Sequence, residues 1–372
     1  MKLKIEDFVP IKELSYWRFI RLRSCLLSGS FQNFSESKLA NKKTKGRAQL
    51  IGDVFHDVME RINEISKRTD QISGSEIRSI FNQALNNVKK QSVKSSLGHF
   101  GDPSQWPEII QIYKSISDFA ARCKNFNSAR PKEVHSEVKL SSRDGLLFGV
   151  IDAFFVFSNG IELVDYKSGR MIDDEYFPKE EYANQLLFYA YLIHENYGVY
   201  PHSLTLLGKD FDSVSIEPSF ERSVSLANEM RQVLSHYNDS VSCQAPIRSF
   251  SNPTIENCLY CEAKPLCSPF WDHARELGLP RWGQVAIGKQ VKPLVISRGG
   301  WGTLEIEILK SSLHVPRLKM TRILIKRFPD LRDNLGQCVI VTNLKILGGE
   351  SSGIAEVTGR SEIIPFEGNI GT

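Results

Sequence analysis

The chain has 372 residues, enough for one large or two ordinary domains with a substantial buried core. An apolar fraction of 41% and a charged fraction of 24% are those of a soluble globular protein, and a net charge of only +4 excludes a globally basic nucleic-acid binder. The opening residues, MKLKIEDFVPIKELSYW, hold no apolar stretch of signal-peptide length, and no run approaches a membrane span. The expectation is a cytoplasmic protein with no membrane partner, whose seven cysteines serve as free thiols or metal ligands rather than disulfides.

Taken in order, residues 11–24 read as an amphipathic helix ending near Cys25, and the basic segment SKLANKKTKGRA, 37–48, reads as a loop. In LIGDVFHDVMERINEI, Leu50, Val54, Val58 and Ile62 form one stripe of a helix reaching about Arg68, and helical patterns follow near 75–95 and 107–125. The period then changes to two. Residues 133–141, 146–157 and 161–167 read as an antiparallel meander, with Arg143-Asp144-Gly145 as its first turn. A helix over 179–197, a strand near 202–208 and a helix near 220–238 complete an α-β-β-β-α-β order, which implies a mixed α/β domain with a central sheet. The Pro- and Cys-bearing segment 243–272 lacks strong periodicity. Beyond about residue 280 the composition turns to β, in 303–309, 338–347 and 354–358, while 317–328 fits helix or strand equally. The predicted division is a first domain over 1–278 and a small β-rich domain over 279–372, with a five-stranded OB-like barrel as its expected form.

The stretch from 149 to 169, GVIDAFFVFSNGIELVDYKSG, carries the chemistry. Asn159-Gly160 between two β-branched, aromatic-rich runs is a short hairpin signal. Alternation puts Asp165 and Lys167 on one face and Val164 and Tyr166 on the other. With Asn159-Gly160 as a two-residue loop, Asp152 is expected across from Lys167, and Phe154 across from Asp165. Carboxylates suit hard cations, and a nearby ammonium can orient a water and offset developing charge, so the set suits metal-assisted phosphodiester hydrolysis. Four features add weight. Asp152 interrupts an apolar strand, where an unpaired carboxylate costs several kcal/mol, on the order of a lost buried ion. Glu137 lies on the preceding strand, on the face opposite Val134, Val138 and Leu140. His56 projects from a helix beside Gly52, and Gln185 and Tyr189 share a helix face.

In this order, G-x-x-x-H (Gly52 to His56), Glu137, G-x-x-D (Gly149 to Asp152), D-Y-K-S-G (Asp165 to Gly169) and Q-x-x-x-Y (Gln185 to Tyr189) resemble the RecB-like branch of the PD-(D/E)XK nucleases. The resemblance implies a restriction-endonuclease-like core, a mixed central sheet flanked by helices. It implies one or two Mg²⁺ or Mn²⁺ ions held by His56, Asp152 and Asp165. Lys167 is then the catalytic lysine, Gln185 and Tyr189 are supporting residues, and Glu137 is a less diagnostic acidic position.

Cys258-x-x-Cys261 and Cys267, within ENCLYCEAKPLC, have metal-ligand spacing, and Cys25 is the best candidate for a fourth ligand. That pattern resembles the iron-sulfur members of the same branch, CRISPR-associated RecB-like exonucleases and the AddB-type nuclease, which implies a structural [4Fe–4S] cluster; structural zinc is the alternative. Cys123, Cys243 and Cys338 read as incidental. Lys42, Lys43, Lys45 and Arg47 form the densest basic run and are candidate nucleic-acid contacts. Arg317, Lys319, Arg322, Lys326 and Arg327, with Trp301, suit either single strands or a docked partner. The expected activity is a metal-dependent DNA exonuclease acting on single strands or ends, in repair or in CRISPR-related or antiviral defence. No G-x-x-x-x-G-K-[ST] is present, so any unwinding needs a separate helicase. The alternatives are an RNase and a non-catalytic nucleic-acid-binding scaffold of a helicase-nuclease complex.

Overall fold

The computed structural model describes residues 8–30, 46–66, 72–92, 102–123, 131–261, 263–325, 328–331, 335–348, 352–358 and 361–366. Its first sheet is mixed. Strand β2 (Glu133–Ser141) lies along one edge of β3 (Leu147–Phe157), and the other edge of β3 is shared between β4 (Gly160–Lys167) and the two-residue β1 (Leu14–Ser15). The sheet continues through β5 (Ser203–Gly208), parallel to β4, to β6 (Ser213–Ile216). Helix α1 (Tyr16–Ser24) therefore starts later than its periodicity predicts, because Leu14 and Ser15 are taken up as a parallel strand beside Leu147 and Phe148.

The sheet separates two cores. On one face pack α1, α6 (Glu180–Tyr197) and α7 (Phe220–Ser242), against Leu147, Ile151, Phe154, Leu163, Leu204 and Leu206. On the other pack α3 (Arg47–Ser66), α4 (Gly74–Ser92) and α5 (Pro107–Cys123), where the stripe Leu50, Val54, Val58 and Ile62 meets Ala153 and Tyr166. The short helix α2 (Leu26–Ser30) follows α1, and α8 (Ile255–Cys258) and α9 (Ser268–His273) break up the aperiodic cysteine segment.

The C-terminal sheet closes into a barrel. Strands β7 (Gln284–Gln290), β9 (Trp301–Ser311), β10 (Arg317–Leu324), β12 (Ile354–Glu356) and β11 (Cys338–Ile346) form a ring, with β10 and β12 parallel and every other contact antiparallel. That crossover is the Greek-key connection of an OB-like barrel. Strands β8 (Val295–Ile296) and β13 (Glu362–Phe366) extend β9 and β11 outside the ring. Of the undecided 317–328 segment, Arg317–Leu324 is strand, and its alternate residues Leu318 and Met320 fill the barrel interior. Strand β7 escaped the sequence reading for a physical reason. It is buried on both sides, Ala286 facing the barrel interior and Ile287 packing near Trp271, so it shows no alternation.

Candidate active site

The site forms where two strands part. β3 pairs with β4 from Phe157–Gly160 only as far as Ala153–Val164, and β4 then runs along β5 through Lys167. At this fork the Asp152 carboxylate replaces the missing ladder acceptor: its Oδ2 accepts the Tyr166 backbone N–H at 2.7 Å. The register differs from expectation by two residues. Gly160 is a strand residue pairing with Phe157, so the turn is Ser158-Asn159. Gly160 adopts φ 145 beneath His202, whose Nδ1 would lie 2.5 Å from a Cβ, and no other residue fits there. Continued to the fork, this register sets Asp152 against Asp165 instead of Lys167. An even shift keeps each residue on its face, so Val164 and Tyr166 still face α3 while Lys167 reaches α6.

Across the other edge of β3, Glu137 leaves the ladder with a left-handed φ of 50, a conformation a glutamate adopts only under constraint from its surroundings. Pairing resumes in unchanged register on both sides, Ser136 with Ala153 and Val138 with Ile151. β3 changes sides at this point, Ile151 joining the core beneath α6 and Ala153 the core beneath α3. Glu137 and Asp152 meet His56 of α3 there. His56 Nδ1 is 3.6 Å from Asp152 Oδ1 and 3.9 Å from Glu137 Oε1, and the three side chains offer ligand atoms within 4.8 Å of one another.

The electrostatics favour a cation. Burial, together with the charge of Asp165, pushes the Asp152 carboxyl up to about 7. Burial alone would lower the His56 pKa, but its hydrogen bond to Glu137 and the charges of Asp152 and Asp165 outweigh it and raise the value. Asp165 Oδ2, fully buried, touches the Lys167 ammonium without receiving a directed hydrogen bond. Crowded carboxylates beside an imidazole are a donor set that fits a divalent ion of the Mg²⁺ or Mn²⁺ kind.

Lys167 is held from α6. Its ammonium donates to Gln185 Oε1 at 2.9 Å, and Gln185 Nε2 donates to the Tyr189 hydroxyl at 2.8 Å. The same ammonium lies 4.8 Å above the Tyr182 ring, which meets Trp17 edge-on at 6.1 Å. Both motif glycines mark close approaches. A Cβ on Gly149 would sit 2.6 Å from Tyr189 Cε1, and one on Gly52 3.1 Å from Ser168 Oγ. Sequence reasoning missed Asn63, whose buried amide donates to the Tyr166 hydroxyl at 2.8 Å and so anchors the residue whose N–H holds Asp152. A signal existed, since Asn63 follows His56 by two helical turns on the same face. Tyr182, one turn before Gln185, was findable the same way.

The four cysteines gather between the end of α1 and the segment around α8. Cys25 lies 3.5 Å from the Phe250 carbonyl and accepts the Asn252 N–H at 3.4 Å. Burial pushes Cys258 and Cys267 each up to about 12 and raises Cys261, with the neighbouring thiols adding to the shift. Raised in this way, the thiols of Cys258, Cys261 and Cys267 hold their protons in the absence of a bound cation. No three of the four come within 4.8 Å of one another. Of the basic run, Arg47 pairs with Glu108 and stacks 4.9 Å over the Trp106 ring. Lys42, Lys43 and Lys45 lie outside the described residues.

A profile of the PD-(D/E)XK nuclease superfamily matches residues 14–268, about two thirds of the chain and every residue of the fork. The chain belongs to the PD-(D/E)XK nuclease superfamily. Its members are hydrolases that use divalent metals, in keeping with the His56–Glu137–Asp152 group. The chain is also similar to a component of the ATP-dependent helicase/nuclease of Streptococcus mutans, 26% identical over 161 residues. That match covers 43% of this chain and only 12% of the relative's length. Among solved structures, a provisionally assigned exonuclease of Eubacterium rectale matches with a TM-score of 0.39 and 11% identity, over 63% of this chain and 83% of that one. The protein SSO0001 matches with a TM-score of 0.25 and 17% identity, over 67% and 95%. Among the described residues no helix is long and apolar enough to cross a membrane.

Proposed function

We propose that the protein is a metal-dependent deoxyribonuclease that hydrolyses single-stranded DNA or DNA ends. The observation that carries the reading is the convergence, at one strand fork, of His56, Glu137 and Asp152 with the Asp165–Lys167 pair. His56, Asp152 and Asp165 would hold Mg²⁺ or Mn²⁺, which when bound supplies Lewis-acid activation of a phosphoryl oxygen and of water. Lys167 orients the attacking water and offsets charge as the phosphorane-like centre forms. Gln185 fixes that ammonium, Tyr189 fixes Gln185, and the Tyr182 ring closes its open side. DNA as the substrate rests on the RecB-like motif set.

The cysteines Cys25, Cys258, Cys261 and Cys267 are read as ligands of a [4Fe–4S] cluster that staples the end of α1 to the last segment of the nuclease region, 1–278. Structural zinc is the alternative occupant of the same four thiolates. The likeness to part of a helicase/nuclease supports action beside a separate motor, and a place in DNA repair or antiviral defence rests on the RecB-like motif set alone. The test is to incubate the purified protein with end-labelled single- and double-stranded DNA and RNA, with Mg²⁺, Mn²⁺ or chelator. Metal-dependent shortening of single-stranded DNA is expected. Selective cutting of RNA would change the substrate, and no cleavage in any condition would favour a non-catalytic scaffold.

A further inference from the structure

On the barrel face that sequence composition marks for nucleic acid, carboxylates stand among the described cations. On β9 and β10, Arg317 stands opposite Glu307 and Lys319 opposite Glu305, which also binds Lys292 at 2.7 Å. Arg322 and Lys345 both close on Glu356. Each of these carboxylates offsets part of the attraction that a polyanion would feel there.

The seam between the cysteine segment and the barrel is different. A cavity of about 110 Å³ opens there, lined by Arg275 and Arg281 and by Ser312 and His314 of the β9–β10 connection. Its volume equals that of about four liquid waters, room for one phosphate group. Among the described residues Arg275 and His314 have no ion pair, and Arg281 donates only to the neutral Gly348 carbonyl. The neighbouring acids face elsewhere, Asp272 to Arg248 and Glu276 to His273. Directly after Arg281, Trp282 meets Tyr260 with ring centroids 5.8 Å apart, and the two are 38% and 68% exposed. Tyr260 comes from the loop between Cys258 and Cys261, which abuts the barrel so closely that a Cβ on Gly283 would lie 2.8 Å from Leu259 Cδ1. The buried Lys264 Nζ ties the same loop to the barrel, donating to the Leu259 carbonyl at 2.8 Å and to Asn343 at 3.2 Å.

We propose that this seam is a second binding site for single-stranded DNA, separate from the cleavage centre, in which Arg275, Arg281 and His314 take one backbone phosphate and the Tyr260–Trp282 pair stacks an unpaired base. Two arginines without a carboxylate partner among the described residues line a phosphate-sized cavity, and exposed aromatic rings follow directly on Arg281; charge and stacking are the two components of single-strand recognition. The proposal takes only the identity of its ligand from the nuclease reading.

The experiment is fluorescence anisotropy with the full-length protein as purified and labelled oligo(dT) of about 20 nucleotides, in Ca²⁺ across a salt series. Arg275→Ala should weaken binding and flatten the slope of log affinity on log salt by about 0.7, the value of one single-strand phosphate contact. Trp282→Ala should weaken binding roughly fivefold or more with the slope unchanged, as loss of stacking does. Arg275→Lys should keep the slope, and the double variant Arg317→Ala/Lys319→Ala should bind as wild type. Wild-type affinity and slope in Arg275→Ala would overturn the proposal, as would an equal effect from the barrel-face pair. Displacement by free thymidine monophosphate as effective as by the oligonucleotide would assign the cavity to a nucleotide and also overturn it. Binding is read without cleavage, so failure of the nuclease reading and failure of the seam are separate results.

Discussion

Replacing Gly149 by alanine drives a methyl group into helix α6. Its Cβ would lie 2.6 Å from Tyr189 Cε1, 3.0 Å from Cδ1 and 3.1 Å from Leu192 Cδ1. Ordinary carbon contacts are about 3.5–4.0 Å, so the ring must give way by about 1 Å. Tyr189 is itself buried, on a helix whose residues Gln185–Ile193 are all buried. Its hydroxyl holds Gln185, and Gln185 holds Lys167, so the displacement passes through two hydrogen bonds of 2.8 and 2.9 Å to the ammonium. A misplacement of about 1 Å costs about 10²-fold in rate, and overpacking of this kind costs about 1–3 kcal/mol of stability. Single-turnover cleavage of labelled single-stranded DNA at saturating Mg²⁺ should therefore fall about a hundredfold. The melting temperature should fall by several degrees. In a Tyr189→Ala background the methyl has room, so Gly149→Ala should add little further loss. Fully additive losses, or a wild-type rate in a Gly149→Ala protein whose melting point has dropped, would refute the linkage from β3 through α6 to Lys167.

Other outcomes follow from the same geometry. In metal-free protein Asp152 keeps its proton to about pH 7, whereas the unfolded chain releases it near pH 4. The folded state binds more protons between those values, so the Asp152 contribution to stability falls as pH rises through that window. The melting temperature of wild type relative to Asp152→Asn should thus decline from pH 4 to 7 without metal, and saturating Mn²⁺ should reverse the trend; a metal-free difference that rises with pH would contradict it. Cys258→Ala should lose the broad visible absorbance of anaerobically purified protein, while a colourless wild type with stoichiometric zinc would replace the cluster by zinc. Asn63→Ala strands the buried Tyr166 hydroxyl at a cost of about 1–3 kcal/mol. It should also raise the Mn²⁺ concentration needed for half-maximal cleavage, and an unaltered requirement would separate Asn63 from the metal site.

Much of the nuclease core was legible because its elements keep strong periods. The Leu50–Ile62 stripe and the alternation of Ile161–Lys167 both survive in the fold, as buried helix face and forked strand. The motif residues were readable as a set because chemistry constrains their type. How they meet was not readable. The hairpin register turned on where Gly160 sits, and that depends on His202 from another strand. The left-handed backbone at Glu137 and the side switch of β3 beside Asp152 are tertiary constraints that no local pattern records. Pairing of basic residues was equally hidden. Arg317 and Lys319 read as a nucleic-acid surface until their cross-strand partners Glu307 and Glu305 were seen. Arg47 likewise spends its charge on Glu108. The seam residues are not legible because Arg275, Arg281 and His314 are scattered in sequence and meet only when the barrel packs against the cysteine segment.

The role proposed for Lys167, set between Asp165 and Gln185, is the hydrolysis of a phosphodiester. It is tested most directly by comparing wild type and Lys167→Ala on labelled single-stranded DNA with Mg²⁺ or Mn²⁺, with binding measured in parallel. The expected result is metal-dependent cleavage by wild type, and a loss of about 10²-fold or more in Lys167→Ala with oligonucleotide affinity retained. Undiminished cleavage by a Lys167→Ala preparation would contradict it.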